Sequence, residues 1–384
     1  MAIAIITSPN VNAPAFNQII FDVSSTNAGQ TNFQFLADVY VGSTLVSRLV
    51  FPKQPSVNTL KVDISPVMKN YVSYDIENVY STISAANTNS QALYYVQFGE
   101  VYDVSGIPTT YADLRRSPSS GSNSVYNSIF DFVPFLVDGW TNYDVQDAGA
   151  ILSNRPEAQT IKQGQASYLS YYDPNGVVKK VNIKTVASNY AASSVVSATY
   201  KVFNVGVPWS YLVTHGLDTL ALSGGYYDIE LLDVSDEIVS TTRINISTCS
   251  DKYEVFRLHW LNNLGGWDAF NFDKVSLEGM DIERNQFKKI LPLGYDINDR
   301  LKTNYQTTIT DRTLITSNWV SDEVADWLQS LVQSPIVLLE TSDGMIAINI
   351  TDSSYDIQKY SNGRQLHNLT LNFEYSYNRY RQTL

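Results

Sequence analysis

The strongest pattern in this sequence is the alternation of apolar and polar residues, and it is clearest near the C-terminus. Successive side chains of a strand point to opposite faces, so strict alternation predicts a strand with one apolar face. Asn362-Gly363 precedes the alternating residues and is the preferred two-residue hairpin turn. Residues 355–377 are therefore predicted to form a terminal hairpin. The residues on its apolar face are His367, Leu369, Leu371, Phe373, Tyr375 and Tyr377.

Similar alternation recurs in two long stretches, residues 1–115 and residues 156–250. Residues 33–41, for example, alternate and are followed by a Gly-Ser-Thr turn, and Asp173-Pro174-Asn175-Gly176 is a strong turn signal in the second stretch. Short strands at this spacing, separated by turns, are typical of a sandwich. The sequence thus predicts two immunoglobulin-like β-sandwiches in a mainly β, multidomain chain.

Residues 116–155, between the two predicted sandwiches, have a different character. A Ser-rich segment over residues 117–124 is followed by a run of aromatic residues. This change predicts an arm or linker that contacts other subunits, although an ordinary long connection folded back on its own sandwich explains it as well. The interface candidates in this region are Phe130, Phe132, Phe135 and Trp140.

The last part of the chain, residues 251–384, combines strands with one long amphipathic segment. Apolar residues at helical spacing predict a helix over residues 321–333, with Ser321 as its N-cap and Pro335 just beyond its end. Three strands are predicted to follow. We therefore expect a C-terminal β-rich α+β domain with one packed helix. The apolar stripe of the helix is Val324, Trp327, Leu328, Leu331 and Val332.

The composition, with few charged residues and many tyrosines, suits a protein that makes extensive protein contacts. The chain has 384 residues, of which only 17% are charged, and 26 of them are tyrosine. Tyrosine suits half-buried strand faces and protein contacts, because it joins a rigid apolar ring to a polar tip. The formal net charge of -12 argues against a general nucleic-acid-binding surface. It leaves open a local basic patch, or a DNA conduit with a repulsive wall.

The sequence shows no recognisable catalytic or metal-binding motif. Three histidines and one cysteine do not form a zinc pattern, and neither a P-loop nor a G-x-G-x-x-G motif is present. Cys249 is predicted to be a small buried residue. We therefore expect a protein that is not an enzyme and that has no cofactor and no metal. Since no stretch is apolar for the 18 or so residues of a membrane helix, no membrane span is expected.

The loop between Trp260 and Trp267 contains Gly265-Gly266 and has three interpretations. Two indoles around a glycine pair can form a carbohydrate platform or a subunit contact. Alternatively, the loop is tight and its tryptophans fill the base of a domain. Trp260 and Trp267 are therefore candidates for residues of a protein interface.

A set of short segments, spread over most of the chain apart from the Ser-rich middle, carries a resemblance to a known family. The segments are residues 256–268, 316–319, 334–335, 349–355 and 373–382, together with residues 36–41 and 62–65. They resemble virion proteins of tailed phages and prophages of Bacteroides-type bacteria, and their motifs are moderately specific.

This resemblance implies a structural subunit of a crAss-like, short-tailed phage, located in the neck or tail of the virion and made in the host cytoplasm. Such a subunit would form a ring with copies of itself, contact neighbouring portal and tail proteins, and let DNA pass through the bore without sequence-specific binding. A ring uses a heterologous interface, in which one surface fits a different surface on the neighbour. The alternative function is a receptor- or glycan-binding tail adhesin.

Overall fold

The computed structural model describes residues 3–75, 85–86, 88–130, 149–187, 189–192, 201–249, 252–290, 293–342, 344–352 and 366–380. The chain is a mainly β, multidomain protein, as its alternation predicts. It divides into two compact units. Unit 1 comprises residues 1–153, 163–244 and 262–267, and unit 2 comprises residues 154–162, 245–261 and 268–384.

The N-terminal part of unit 1 is a sandwich of two sheets. The three-stranded sheet has the order β1-β3-β6, and the six-stranded sheet has the order β2-β10-β8-β4-β5, with β9 paired to β8. Phe21 and Val23 from one sheet share a single core with Phe35, Val39 and Val96 from the other. The elements are β1 (Ile3–Thr7), β2 (Asn12–Pro14), β3 (Ile20–Ser25), β4 (Gln34–Val41), β5 (Thr44–Pro52), β6 (Thr59–Asp63), α1 (Ser65–Met68), β7 (Ala85–Ala86), β8 (Gln91–Val104), β9 (Ile107–Ser117) and β10 (Asn123–Tyr126).

The rest of unit 1 contributes two further sheets. One has the order β11-β13-β16-β7, and in the other β18, β17, β14 and β15 are successive neighbours. Tyr227 on β17 donates a 2.7 Å hydrogen bond to Ser167 on β13, so the two sheets face each other. The elements are β11 (Ala150–Ile151), β12 (Gln159–Lys162, in unit 2), β13 (Ser167–Tyr172), β14 (Lys180–Lys184), β15 (Asn189–Ala192), β16 (Val202–Val207), α2 (Trp209–Thr214), α3 (Asp218–Gly224), β17 (Tyr226–Leu232) and β18 (Ile238–Ser247).

Unit 2 is built on an eight-stranded sheet with the order β20-β19-β23-β24-β25-β22-β21, and β26 pairs with β22. Helix α4 packs on this sheet, and its buried Leu328 shares a core with Trp260, Ile315 and Phe373. The elements are β19 (Phe256–Leu261), β20 (Trp267–Phe272), β21 (Leu277–Lys288), β22 (Lys302–Val320), α4 (Asp322–Gln333), β23 (Val337–Thr341), β24 (Gly344–Ile350), β25 (His367–Tyr375) and β26 (Arg379–Tyr380).

The predicted long helix and terminal strand are confirmed. Helix α4 follows Ser321, whose hydroxyl accepts a hydrogen bond from the backbone N–H of Val324 at 3.4 Å, and β25 covers most of the predicted strand. In β25 the side chains of Leu369, Leu371 and Phe373 are buried, which is the face that alternation selects. The predicted Asn362-Gly363 turn lies outside the described residues.

Other predictions need adjustment. Strand β10 lies inside the range 116–155 that was assigned to an arm, and all four of its residues are buried between β2 and β8. Strand formation in the first sandwich therefore continues past residue 115, and Val125 of β10 belongs to the core of that sandwich. Cys249 is exposed rather than buried. The prediction that residues 116–155 form a contact arm stays open for residues 131–148, which lie outside the described residues.

Candidate protein interface

The aromatic residues that the sequence proposed for contacts have different positions in the fold. Phe132, Phe135 and Trp140 lie outside the described residues. Phe130 is buried and packs against Tyr126, Leu152 and Tyr172 within unit 1. Its backbone N–H donates to the side chain of Asn17 at 2.7 Å. Phe130 therefore belongs to a core, and its ring has no free surface for a neighbouring subunit.

Trp260 and Trp267 are also buried. The indole N–H of Trp260 donates to Ser330 at 2.9 Å in unit 2, and that of Trp267 donates to the carbonyl of Asp75 at 3.2 Å in unit 1. A buried indole does not reach a neighbouring molecule unless its surroundings unfold. The structure thus does not support these two tryptophans as interface residues or as a sugar platform.

The glycine pair between them explains the tight loop. Gly265 has a φ of +83°, and a Cβ on it would lie 2.0 Å from the carbonyl oxygen of Asn127. A Cβ on Gly266 would lie 2.1 Å from the carbonyl oxygen of Leu152. Asn262 accepts hydrogen bonds from the N–H groups of Leu264 and Gly266, both at 3.0 Å. Only glycine fits at both positions, which supports the interpretation of a tight loop.

A long hairpin in unit 2 is the best candidate for an interface, and the sequence did not predict it. Strands β21 and β22 pair in register from Leu277↔Leu314 to Lys288↔Lys302. Strand β25 pairs with β22 only over residues 312–320, and β26 pairs at Thr308 and Ile309. Among the described residues, therefore, only β21 pairs with residues 302–307. At about 3.3 Å per residue, this part extends roughly 17 Å beyond the sheet.

The tip of this hairpin is unusually apolar for an exposed segment. Ile290 is 97% exposed and Ile297 is 99% exposed. Exposed apolar patches in soluble proteins are characteristic of interaction sites, because burying them on a partner is favourable. We use the name apolar tip for the described residues 287–290 and 293–302. Its other exposed large apolar side chains are Phe287, Leu293, Tyr295 and Leu301.

The charge of the apolar tip differs in sign from that of the whole chain. The tip contains four basic residues and two acidic residues, whereas the chain has a formal net charge of -12. A basic tip is complementary to the acidic surface that such a chain presents elsewhere. The basic residues are Lys288, Lys289, Arg300 and Lys302, and the acidic residues are Asp296 and Asp299.

Local interactions define the shape of the hairpin. The backbone N–H of Lys289 donates to the carbonyl of Leu301 at 2.7 Å, and that of Asp299 donates to the carbonyl of Asp296 at 3.0 Å. At the base, Arg312 bonds to Asp281 across the two strands at 2.6 Å. Strand β21 is the outer strand of the sheet, and its side chains are exposed along almost its whole length. It therefore offers an open edge to which another strand can pair.

Unit 2 contains a buried cluster of one carboxylate, one guanidinium and one imidazole. Glu340 on β23 lies 2.6 Å from the Nε2 atom of His259 and 3.0 Å from the Nε atom of Arg257, both on β19. Burial lowers the pKa of His259, the hydrogen bond to Glu340 raises it, and the Arg257 guanidinium lowers it. The net effect is a lowered pKa. All three side chains are nearly inaccessible to solvent, so the cluster joins two strands rather than meeting a substrate.

Within the described ranges, no group of three or more His, Cys, Asp or Glu side chains is placed to hold a metal ion. In the same ranges, no helix has the length and apolarity that crossing a bilayer requires.

Comparisons with known proteins do not name a family. No family model and no curated protein matches the chain. Two solved structures to which it is similar are a chimeric titin Z1Z2-Z1Z2 tandem functionalized with a GRGDS peptide from fibronectin, and Dpr2 Ig1-Ig2 in complex with DIP-Theta Ig1-Ig3. Each is 9% identical to this chain, with 65% of this chain and 100% of the other covered, and each has a TM-score of 0.17. At that TM-score neither similarity supports an argument about function.

Proposed function

We propose that this protein is a structural subunit of a phage neck or tail ring, and that the hairpin of β21 and β22 binds a second copy of the chain. The observation that carries the proposal is the apolar tip, which is solvent-exposed in the single chain. A protruding element that fits a different surface on the next copy is the kind of heterologous contact that generates a ring.

Two further features support a second copy as the partner. The tip is basic on an acidic chain, so the acidic surface of a neighbouring copy attracts it. The open edge of β21 can also accept a strand from that neighbour, which would hold the two copies through main-chain hydrogen bonds. In the assembled ring, the acidic character of the chain would limit adhesion to DNA passing through the bore. Portal and tail proteins are the further partners that the resemblance implies.

The proposal is tested by measuring assembly in a matched pair of variants. Wild-type protein is expected to form closed oligomers in native mass spectrometry and in electron microscopy. Ile290→Asp combined with Ile297→Asp places two charges on the apolar tip and is expected to leave a folded monomer. The control, Val234→Asp combined with Ile238→Asp, makes the same change at two exposed apolar residues of unit 1 and is expected to preserve the oligomer.

Two results would contradict the proposal. One is a wild-type protein that stays monomeric up to about 100 μM, which excludes a contact stronger than about 5 to 6 kcal/mol. The other is an oligomer that the tip variant leaves unchanged. Detection of the chain in purified phage particles by mass spectrometry tests the virion assignment separately.

A further inference from the structure

Unit 2 contains a pocket that is separate from the hairpin tip. Its volume is about 460 Å³. Since an apolar cavity of about 150 Å³ holds a benzene molecule, this pocket has room for roughly three side chains of that size. We call it the unit 2 pocket. Its apolar lining residues include Phe270, Trp319, Val320, Val324, Trp327 and Leu366.

Two large apolar side chains of this lining are exposed. Trp319 is 61% exposed, and Leu366, which directly precedes β25, is 62% exposed. Strand β22 shifts register relative to β25 between Thr316 and Trp319, and such bulges redirect side chains. Buried Ser317 stabilises the bulge, because its hydroxyl accepts a hydrogen bond from the N–H of Leu369 at 2.9 Å. The single chain therefore presents apolar surface to solvent at the pocket, which is characteristic of an interaction site.

One wall of the pocket is fixed by a buried carboxylate. Asp268 accepts a 3.0 Å hydrogen bond from the indole N–H of Trp327 and forms a 2.8 Å ion pair with Arg155. Both Trp327 and Arg155 line the pocket. Since Asp268 is fully buried and binds both side chains, this wall has its shape before a partner arrives.

The pocket has a small excess of negative charge. Arg155 is paired with Asp268, and Lys162 lies 3.6 Å from Asp273, while Glu157 in the lining is exposed. Two basic and three acidic side chains thus lie in the lining or directly behind it, so their formal charges sum to -1. A pocket of this sign attracts a basic partner more than an acidic one.

The apolar tip and the unit 2 pocket lie at opposite ends of one strand. Strand β22 begins at Lys302, in the tip, and ends at Val320, in the pocket wall. Its 19 residues are held extended by pairing with β21 and β25, and they span roughly 60 Å at about 3.3 Å per residue. The tip therefore does not reach the pocket of its own chain. This arrangement suits a head-to-tail contact, in which each copy inserts one surface and receives a different one.

From these observations we propose that the unit 2 pocket of one copy receives the apolar tip of the next copy. The inference rests on the proposed function, which assigns the tip to a second copy but does not say which surface of that copy it meets. Ile290 and Ile297 are almost fully exposed, and insertion would bury them against Trp319 and Leu366. The basic residues of the tip complement the negative charge of the pocket.

The test combines the tip variant with a pocket variant. Trp319→Asp combined with Leu366→Asp places two charges on the pocket and is expected to give a folded monomer, as is Ile290→Asp combined with Ile297→Asp. In an equimolar mixture, the pocket variant supplies an intact tip and the tip variant supplies an intact pocket. Native mass spectrometry, with one variant isotopically labelled, is expected to show a dimer that contains one copy of each.

A single charge reversal provides a milder variant. Glu157→Lys changes the formal charge of the pocket from negative to positive, so it is expected to weaken assembly about tenfold. Because Glu157 is exposed, this variant is expected to keep the wild-type unfolding temperature, and it decides the question even where the double variant loses stability. Val234→Asp combined with Ile238→Asp, in unit 1, serves again as the control and is expected to assemble like the wild type.

Three results would overturn the inference: a pocket variant that assembles like the wild type, two folded monomeric variants that form no dimer when mixed, or equal assembly of Glu157→Lys and the wild type. In each case the proposed function stands if the tip variant alone is still monomeric. A wild-type protein that stays monomeric up to about 100 μM overturns the proposed function, and this inference with it.

Discussion

The two halves of β22 perform different tasks. Residues 312–320 pair with β25 and place Ile315 in the core beneath α4. In the part of the chain that the structure describes, residues 302–307 pair only with β21 and lead into the apolar tip. A single strand therefore connects a stabilising half to a half that is mostly exposed, which separates the residues that hold the fold together from those available to a partner. Substitutions in the two halves are expected to affect different measurements.

Replacing one acid in the body of unit 2 and one acid in the hairpin with the corresponding amide is expected to give the largest difference. Asp268→Asn leaves buried Arg155 without its counter-charge and is expected to cost unit 2 roughly 3–5 kcal/mol. Asp281→Asn breaks an exposed pair with Arg312 and is expected to cost less than about 1 kcal/mol. Urea unfolding followed by tryptophan fluorescence measures both losses. Equal losses would show that the hairpin is as tightly integrated as the body.

Truncating one isoleucine in the core-facing half of β22 and one in the apolar tip is expected to give a somewhat smaller difference. Ile315 is fully buried, so Ile315→Ala is expected to lower the free energy of unfolding by roughly 2–5 kcal/mol. Ile297→Ala makes the same change on an exposed side chain and is expected to stay within about 0.5 kcal/mol. The same pair, measured by native mass spectrometry, should rank in the opposite order, with weaker assembly only in Ile297→Ala.

The body of unit 2 is also expected to be pH-sensitive. Burial lowers the pKa of His259 below its ordinary value of 6.5, so the unfolded chain binds a proton at pH values where the folded chain does not. The free energy of unfolding should therefore fall as pH decreases below 6.5. His259→Gln keeps a donor for Glu340 and removes the titration, so its dependence on pH should be flatter. Parallel slopes for wild type and variant would contradict this account. The hairpin contains no histidine and should contribute nothing to the difference.

The smallest expected effect is at the start of α4. Ser321→Ala removes the acceptor for the N–H of Val324 and is expected to cost about 1 kcal/mol. Asn304→Ala, at an exposed position in the outer half of β22, serves as the control and should change stability less. A larger loss in the control would indicate that the hairpin stabilises the body.

Burial explains which parts of this fold the sequence could predict. Helix α4 and strand β25 each turn one face to a core, so their apolar residues recur at a helical or a strand period. The described residues between 277 and 301 are almost all exposed, and their apolar side chains therefore follow no period tied to an interior. The available signal was indirect: a β-branched run over residues 307–316 with no predicted partner strand, next to an apolar segment rich in lysine.

The candidate sites were harder to predict than the fold. Trp260 and Trp267 stand out in the sequence, yet their indoles are buried, whereas the almost fully exposed Ile290 and Ile297 belong to no recognisable motif. Exposure and pairing are properties of the folded chain, and residue type alone does not encode them.

If the hairpin binds the next copy as proposed, it also constrains how assembly must be timed in the cell. A protruding element that binds a different face of the next molecule can add copies without limit, so ring closure depends on the angle between successive copies. Where that angle does not close the ring, the same contact would produce filaments. Newly synthesised chains would then need a template, such as an already assembled platform, that sets the number of copies before the chains associate at random.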